Sequence, residues 1–188
     1  GAVATMVLRE TPDPDRYGAV EVDAEGRVRR LLKNPENAPP GLRKYMFSGV
    51  HVLHPRAWYD LPARGCIVRH SYARWLQRSE VIGAVVDAGP WIEVDTVQAY
   101  LDANLALASG RAVWPGIDLK TPGIVIDNSA RIGKHTELDQ VVIGSGAAVA
   151  DGIELRRVVV WPGVRVERDA QDVVITPLGS VTAKLLRL

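Results

Sequence analysis

From Ile126 onward an aliphatic residue returns every 17 positions: Ile126, Ile143 and Val160 form one column, Ile132, Val149 and Val166 a second, Leu138 and Leu155 a third. Within a repeat the columns are spaced six, six and five residues apart. That spacing describes a chain wound around a triangular prism, with three short strands per coil and roughly every sixth side chain turned inward. Two residues ahead of most inward positions sits a small or branched companion: Ala130, Thr136, Ala147, Ile153 and Val164. Gly133, Gly144, Gly146, Gly152 and Gly163 fall between, where the chain must turn a corner. The last coil, at Ala170 to Ile175, is two residues short, and Pro177 and Gly179 follow it. The pattern predicts a parallel β-helix of about three coils over 124–188, its final coil closing the stack.

The first 110 residues follow a different rhythm. Val3 to Arg9 reads as a strand. Gly18 to Asp23 and Arg27 to Leu32 bracket Asp23-Ala24-Glu25-Gly26, a tight reversal, and predict a β-hairpin. Three prolines make Pro35 to Gly41 a loop; Met46 to Leu53 and Val81 to Val86 are further strands. Tyr72, Trp75 and Leu76 share one face of a helix over 71–78. From Thr96, a suitable N-cap, Val97, Tyr100, Leu101, Asn104 and Leu105 line a second helix, and Gly110 supplies its stop. The expected organisation is an α/β domain over 1–110, a linker over 111–123 and the β-helix over 124–188.

Composition narrows the function classes. The 23 basic and 22 acidic side chains nearly cancel, leaving a net charge of +1 and no basic run able to track phosphates, so nucleic acid is not an expected partner. No apolar stretch approaches the roughly 20 residues of a membrane span, and the N-terminus lacks the features of a signal peptide, so the expected location is cytoplasmic. One cysteine, Cys66, permits no internal disulfide and reads as a buried structural thiol. His51, His54, His70 and His135 have no metal-ligand spacing.

The order of motifs resembles the carboxy-terminal half of a sugar-1-phosphate nucleotidyltransferase, of the bacterial kind similar to mannose-1-phosphate guanylyltransferase with a left-handed β-helix tail. The resemblance is carried by Tyr17-Gly18-Ala19-Val20-Glu21-Val22-Asp23, by the stretch Gly26 to Pro35, by Ser48-Gly49-Val50-His51-Val52-Leu53, by Trp91-Ile92-Glu93-Val94-Asp95-Thr96 and by the helix Gln98 to Leu107. It implies a partial Rossmann-like α/β domain followed by a left-handed parallel β-helix, and transfer of a nucleotidyl group from a nucleoside triphosphate to a sugar 1-phosphate. It also implies Mg²⁺ as the cofactor, with oxygen ligands from carboxylates.

The resemblance places Gly18, Lys33, Asn34, Ser48 and Gly49 at substrate positions, and Glu93 and Asp95 at the metal. Four departures accompany it. Where the family has Glu-Lys-Pro, the acid contacting sugar hydroxyls and the lysine the sugar phosphate, this chain has Lys33 and Asn34 before Pro35. Phe47 replaces an asparagine. Glu93 stands at the metal aspartate, and Asp95 stands where glycine is expected. The glycine-rich triphosphate loop of the family is not found in the sequence. The expectation is therefore a partial chain, inactive alone, whose partner is the nucleotide-binding half, with homo-oligomer contacts through the β-helix around Val158, Val159 and Trp161. The alternatives are a catalytically degenerate homologue acting in regulation or assembly, and a hexapeptide-repeat acyltransferase using His135.

Overall fold

The computed structural model describes residues 1–113, 116 and 122–183. Contacts divide the chain into two compact units, 1–89 and 90–188. Most of the linker expected over 111–123 lies outside the described residues.

In the first unit, strands β1 (Ala4–Arg9), β2 (Val20–Val22), β3 (Val28–Leu31), β4 (Arg43–Leu53) and β5 (Ile82–Val86) form one sheet in the order β3-β2-β4-β1-β5. β1 and β5 are parallel, and the other pairs are antiparallel. Alternation decides which side is core: Ala4, Met6 and Leu8 are buried while Thr5, Val7 and Arg9 are half-exposed. Val20, Val28 and Ile82 complete that face, and Tyr72 and Trp75 cover it.

Those two aromatics come from a wide π-helical turn, Val68–Tyr72, that runs into the short helix α1 (Ala73–Gln77). The helix predicted at 71–78 thus begins earlier and wider, which swings Tyr72 under the sheet while Trp75 stays one turn on. The Trp75 indole N–H donates to Asp60 Oδ2 at 2.9 Å. Phe47 packs against the same core rather than facing a polar pocket. Cys66 corrects the sequence expectation: it is exposed, because it lies in the loop just ahead of the π-turn, where its carbonyl accepts the His70 N–H instead of its thiol entering the core.

The hairpin between β2 and β3 is closed by one carboxylate. Asp23 Oδ1 accepts the backbone N–H groups of Glu25 and Arg27 at 3.1 and 2.8 Å, and Oδ2 meets the Arg27 and Arg29 guanidinia at 3.0 and 2.6 Å. Burial opposes its ionisation, but the Arg27 N–H and the two guanidinia outweigh that and hold the carboxyl down at about 2.

The second unit carries helix α2 (Val97–Ala108) and strands β6 (Ile124–Ile126), β7 (Arg131–Ile132), β8 (Glu137–Ile143), β9 (Ala148–Val149), β10 (Glu154–Val160), β11 (Arg165–Val166), β12 (Ala170–Thr176) and β13 (Gly179–Thr182). The parallel ladders place Ile126, Ile143, Val160 and Ile175 in one register, Ile132, Val149 and Val166 in another, and Leu138, Leu155 and Ala170 in a third. These are the predicted columns, stacked as a β-solenoid of about three coils. The last step, from Leu155 to Ala170, is shorter than the one from Leu138 to Leu155, as the missing residues required. After Thr176 the chain doubles back, and β13 pairs antiparallel with β12, ending the parallel stack.

The corners use two devices. Gly146, Gly152 and Gly163 have positive φ, whereas Gly133 and Gly144 are needed for space: a Cβ at Gly133 would lie 2.4 Å from the Ala150 carbonyl carbon, and one at Gly144 2.7 Å from Pro162 N. A third corner is made without glycine. Gln140, Arg157 and Asp172 occupy equivalent positions in successive coils, each at φ near +50°, and bend β8, β10 and β12 in mid-strand. Arg157 Nε donates to Asp172 Oδ1 at 2.7 Å, and its Nη2 to Asp102 Oδ1 of α2 at 3.0 Å.

That helix lies on the solenoid. Leu101 and Leu105 are buried with Val159, Val174 and Ala183. Val158 points into the solenoid interior and Val159 lies beneath α2, so the aliphatic patch expected to bind another subunit is covered within the chain; Trp161 stays 42% exposed.

Candidate functional site

The tip of the β3 return is where predicted site residues come together. Leu31 and Asn34 exchange both backbone hydrogen bonds, N–H to O at 2.8 and 2.9 Å, around Leu32 and Lys33, whose φ angles are +51° and +66°. This is the two-residue reversal that normally takes Asn-Gly, because both central positions lie in the left-handed region. Placing two side-chain-bearing residues there costs on the order of 1–2 kcal/mol each. The Asn34–Pro35 peptide is cis.

The reversal separates two cavities. One, of about 170 Å³, is lined by Asp15, Gly18, Ala19, Glu21, Leu32 and Lys33. Gly18 has φ +73° and ends the 3₁₀ turn Asp15–Tyr17, and a Cβ there would come within 2.4 Å of Leu32 Cδ2. The backbone conformation favours glycine here, and a Cβ would in addition displace the Leu32 methyl. Glu21 is buried and ion-paired to Arg30 at 2.6 Å, and Asp15 to Lys44 at 2.8 Å. The hydrogen bond from Lys44 holds the Asp15 carboxyl below its usual range, and the charge of Lys33 adds to this.

The second cavity, of about 330 Å³, is lined by Leu31, Leu32, Asn34, Val68, Arg69 and Ala73. Successive residues of one turn thus serve different spaces: Lys33 the acidic one, Asn34 the one bordered by Arg69. Arg69 is a residue that sequence reasoning missed. It lies two residues ahead of the helix predicted over 71–78, where nothing in the spacing marked it.

Ser48 and Gly49 lie elsewhere on the unit, in the bulge where β4 carries extra residues opposite Val7: Met6 pairs with His51 and Leu8 with Phe47. Ser48 Oγ donates to the Val7 carbonyl at 2.7 Å and so fastens the bulge, and Gly49 takes φ +88°. Neither lines the two cavities by the turn.

Glu93 and Asp95 belong to the second unit, exposed in the extended segment ahead of α2, whose N-cap Thr96 accepts the Ala99 N–H at 3.1 Å. Asp95 borders a largely apolar groove with Val97, Tyr100 and Trp161; Glu93 does not. Among the described residues no three histidine, cysteine, aspartate or glutamate side chains converge as a metal cage. Two carboxylates offer hard oxygen donors of the kind Mg²⁺ accepts when phosphates and water supply the rest of its shell.

Beneath β4 an aromatic group occupies the core. His51 Nδ1 and the Tyr72 hydroxyl are hydrogen-bonded at 2.9 Å, and the His51 ring lies 5.7 Å from Phe47. Burial holds the His51 imidazole below its ordinary pKa and pushes the Tyr72 phenol up.

Comparison with known proteins adds to this geometry. The family model described as nucleotidyl transferase matches residues 1–110. The chain is 24% identical over 179 residues to a probable mannose-1-phosphate guanylyltransferase 3 of Oryza sativa subsp. japonica, covering 90% of this chain and 48% of that protein. It is 26% identical over 170 residues to the mannose-1-phosphate guanylyltransferase of Mycobacterium tuberculosis, covering 88% and 46%, and 24% identical over 184 residues to a glucose-1-phosphate thymidylyltransferase of Streptomyces antibioticus, covering 95% and 46%. The chain spans about half the length of the curated relatives it matches.

Proposed function

Because the chain belongs to the nucleotidyl transferase family, we propose that the whole protein joins a nucleoside triphosphate to a sugar 1-phosphate and releases pyrophosphate, this chain contributing the sugar-phosphate side. The observation that carries the reading is the spread of the relatives. They are named for guanylyl and thymidylyl transfer, and for mannose or glucose 1-phosphate. What they have in common is the reaction, not the base or the sugar.

Such a reaction is an in-line displacement at the α-phosphorus by a phosphate oxygen. The protein must align two polyanions and offset their repulsion. In this reading Gly18 leaves room at the wall of the cavity that Lys33 borders, and the turn Leu31 to Asn34 presents polar groups to the sugar phosphate. In the second unit, Glu93 and Asp95 are the carboxylates that would hold Mg²⁺. When bound, the metal supplies charge neutralisation on phosphate oxygens. The relatives' names do not favour the regulatory alternative, nor an acyltransferase built on His135, which sits exposed at a solenoid corner.

The test is pyrophosphate release by the full product of the reading frame, given GTP, ATP or dTTP with mannose 1-phosphate or glucose 1-phosphate and Mg²⁺. Release is expected for at least one pair and should require both substrates. No release from any pair overturns the proposal.

A further inference from the structure

We infer that the groove between the start of α2 and the end of the solenoid binds an organic ammonium ion, an alkylated amine with an apolar body, held by Asp95, Tyr100 and Trp161. The groove lies wholly within the second unit. At about 340 Å³ it falls within the roughly 300–1,000 Å³ of small-molecule sites. The inference goes beyond the transferase reading and does not depend on it.

Charge complementarity sets the sign of the ligand. Among the described residues that line the groove, only Asp95 is charged. Thr96 already accepts the Ala99 N–H, and the Thr176 hydroxyl is taken up by Gly179 and Leu178 at the hairpin tip. Among the described residues no cation stands within ion-pair reach of Asp95, whereas Asp102 and Asp172 of the same unit share Arg157. A phosphate-bearing ligand would meet no positive group here, and a cation would meet an unpaired carboxylate.

The aromatic pair sets the kind of cation. Tyr100, in the first turn of α2, and Trp161, just past β10, have ring centroids 6.5 Å apart and planes inclined by 64°. They form two walls of a corner, and Trp161 stays 42% exposed. A cation is drawn to the faces of such rings, tryptophan most of all. An exposed carboxylate alone holds a cation weakly. An alkylated ammonium ion adds methyl groups that Val97, Val174 and Val181 can cover.

The assignment also accounts for a departure seen in the sequence. The resemblance places the metal carboxylate at position 93 and glycine at position 95, and this chain carries an added carboxylate there. Asp95 borders the groove and Glu93 does not. The added carboxylate thus serves the groove, which leaves Glu93 for the metal.

The experiment is an NMR titration of the chain with tetramethylammonium, and with tert-butanol as an uncharged body of similar shape. The ion is expected to shift the Trp161 indole signal saturably, and tert-butanol to bind more weakly. D95N should weaken binding of the ion by about fivefold. W161L should abolish the upfield shift that the ring faces impose on the ion's methyl signal. D139N, an exposed carboxylate of β8 outside the groove, should change nothing. Asp95 is exposed, so D95N should keep the unaltered melting temperature. Equal binding of tert-butanol, or an unchanged affinity in D95N, overturns the inference. Displacement of the ion by an equal concentration of Mg²⁺ does so too, by returning Asp95 to the metal. An indole signal that moves on dilution of the chain alone would mean that a second copy fills the groove, and overturns it likewise. Pyrophosphate release by the full product, in the absence of ammonium binding, would sink the groove and leave the transferase reading standing. Ammonium binding in a protein that never releases pyrophosphate would do the reverse.

Discussion

His51 is the residue at which burial and titration meet most directly. Its half-buried ring lies between Phe47 and Tyr72, so protonation would place a charge where burial disfavours one and would leave Nδ1 able only to donate to the Tyr72 hydroxyl oxygen. Because its folded pKa is depressed, the unfolded chain binds the proton more readily. Stability from this group is complete above the ordinary histidine value near 6.5 and is lost as pH falls through it toward the folded value. Urea unfolding followed from pH 7.5 to pH 5.5 should show a falling midpoint, with a shallower fall in H51Q. An equal slope in both would place the titration elsewhere. Asp60 and Asp23 act lower on the scale: both carboxyls are held down, so their contribution persists above about pH 4 and is lost in stronger acid.

Helix α2 is the element whose role differs most from its reading in sequence. Its period and its Thr96 cap identify it as a helix, and the family match runs through it to residue 110. Its buried side, Leu101, Leu105 and Ala108, rests on Val159 and Val174 of the solenoid, and Arg157 ties Asp102 to Asp172 at one flank. Leu105 is 1% exposed. L105A should therefore cost about 3 kcal/mol, the transfer loss plus a cavity that two strands cannot collapse to fill. In thermal denaturation monitored at Trp161, whose ring stands 6.5 Å from Tyr100 of the helix, L105A should lower the midpoint clearly. An unchanged midpoint would mean that the helix contributes little to the solenoid's stability.

At the scale of the whole molecule, the apolar side chains that the solenoid leaves exposed are not those of the patch that the sequence pointed to. Val158 and Val159 are used internally, but Leu178 and Val181 of the terminal hairpin and Trp161 remain exposed. The homo-oligomer expected from the sequence would have to use these side chains. Light scattering at micromolar concentration should then give a mass above the 20.5 kDa of one chain, and L178D should reduce it. A strict monomer removes the idea. Among the described residues no helix is long and apolar enough to cross a membrane.

The solenoid was legible because its stabilising contacts repeat: one column of side chains per face, one period, and a shortened last coil, each written directly into residue spacing. The strands of the first unit were legible as short apolar runs between turn residues, and the hairpin because Asp23 and Gly26 specify a reversal by local hydrogen bonds. The corners at Gln140, Arg157 and Asp172 were not, since of the three only aspartate favours the left-handed region, and in the other coils the same φ falls on glutamine and arginine. Nor could spacing show that Lys33 and Asn34 open onto different cavities, that Arg69 borders one of them, or that Cys66 stays at the surface. Periodicity records which residues share a face of their own element. Which side chains from distant elements meet around one space depends on how those elements pack, and only the tertiary structure decided that.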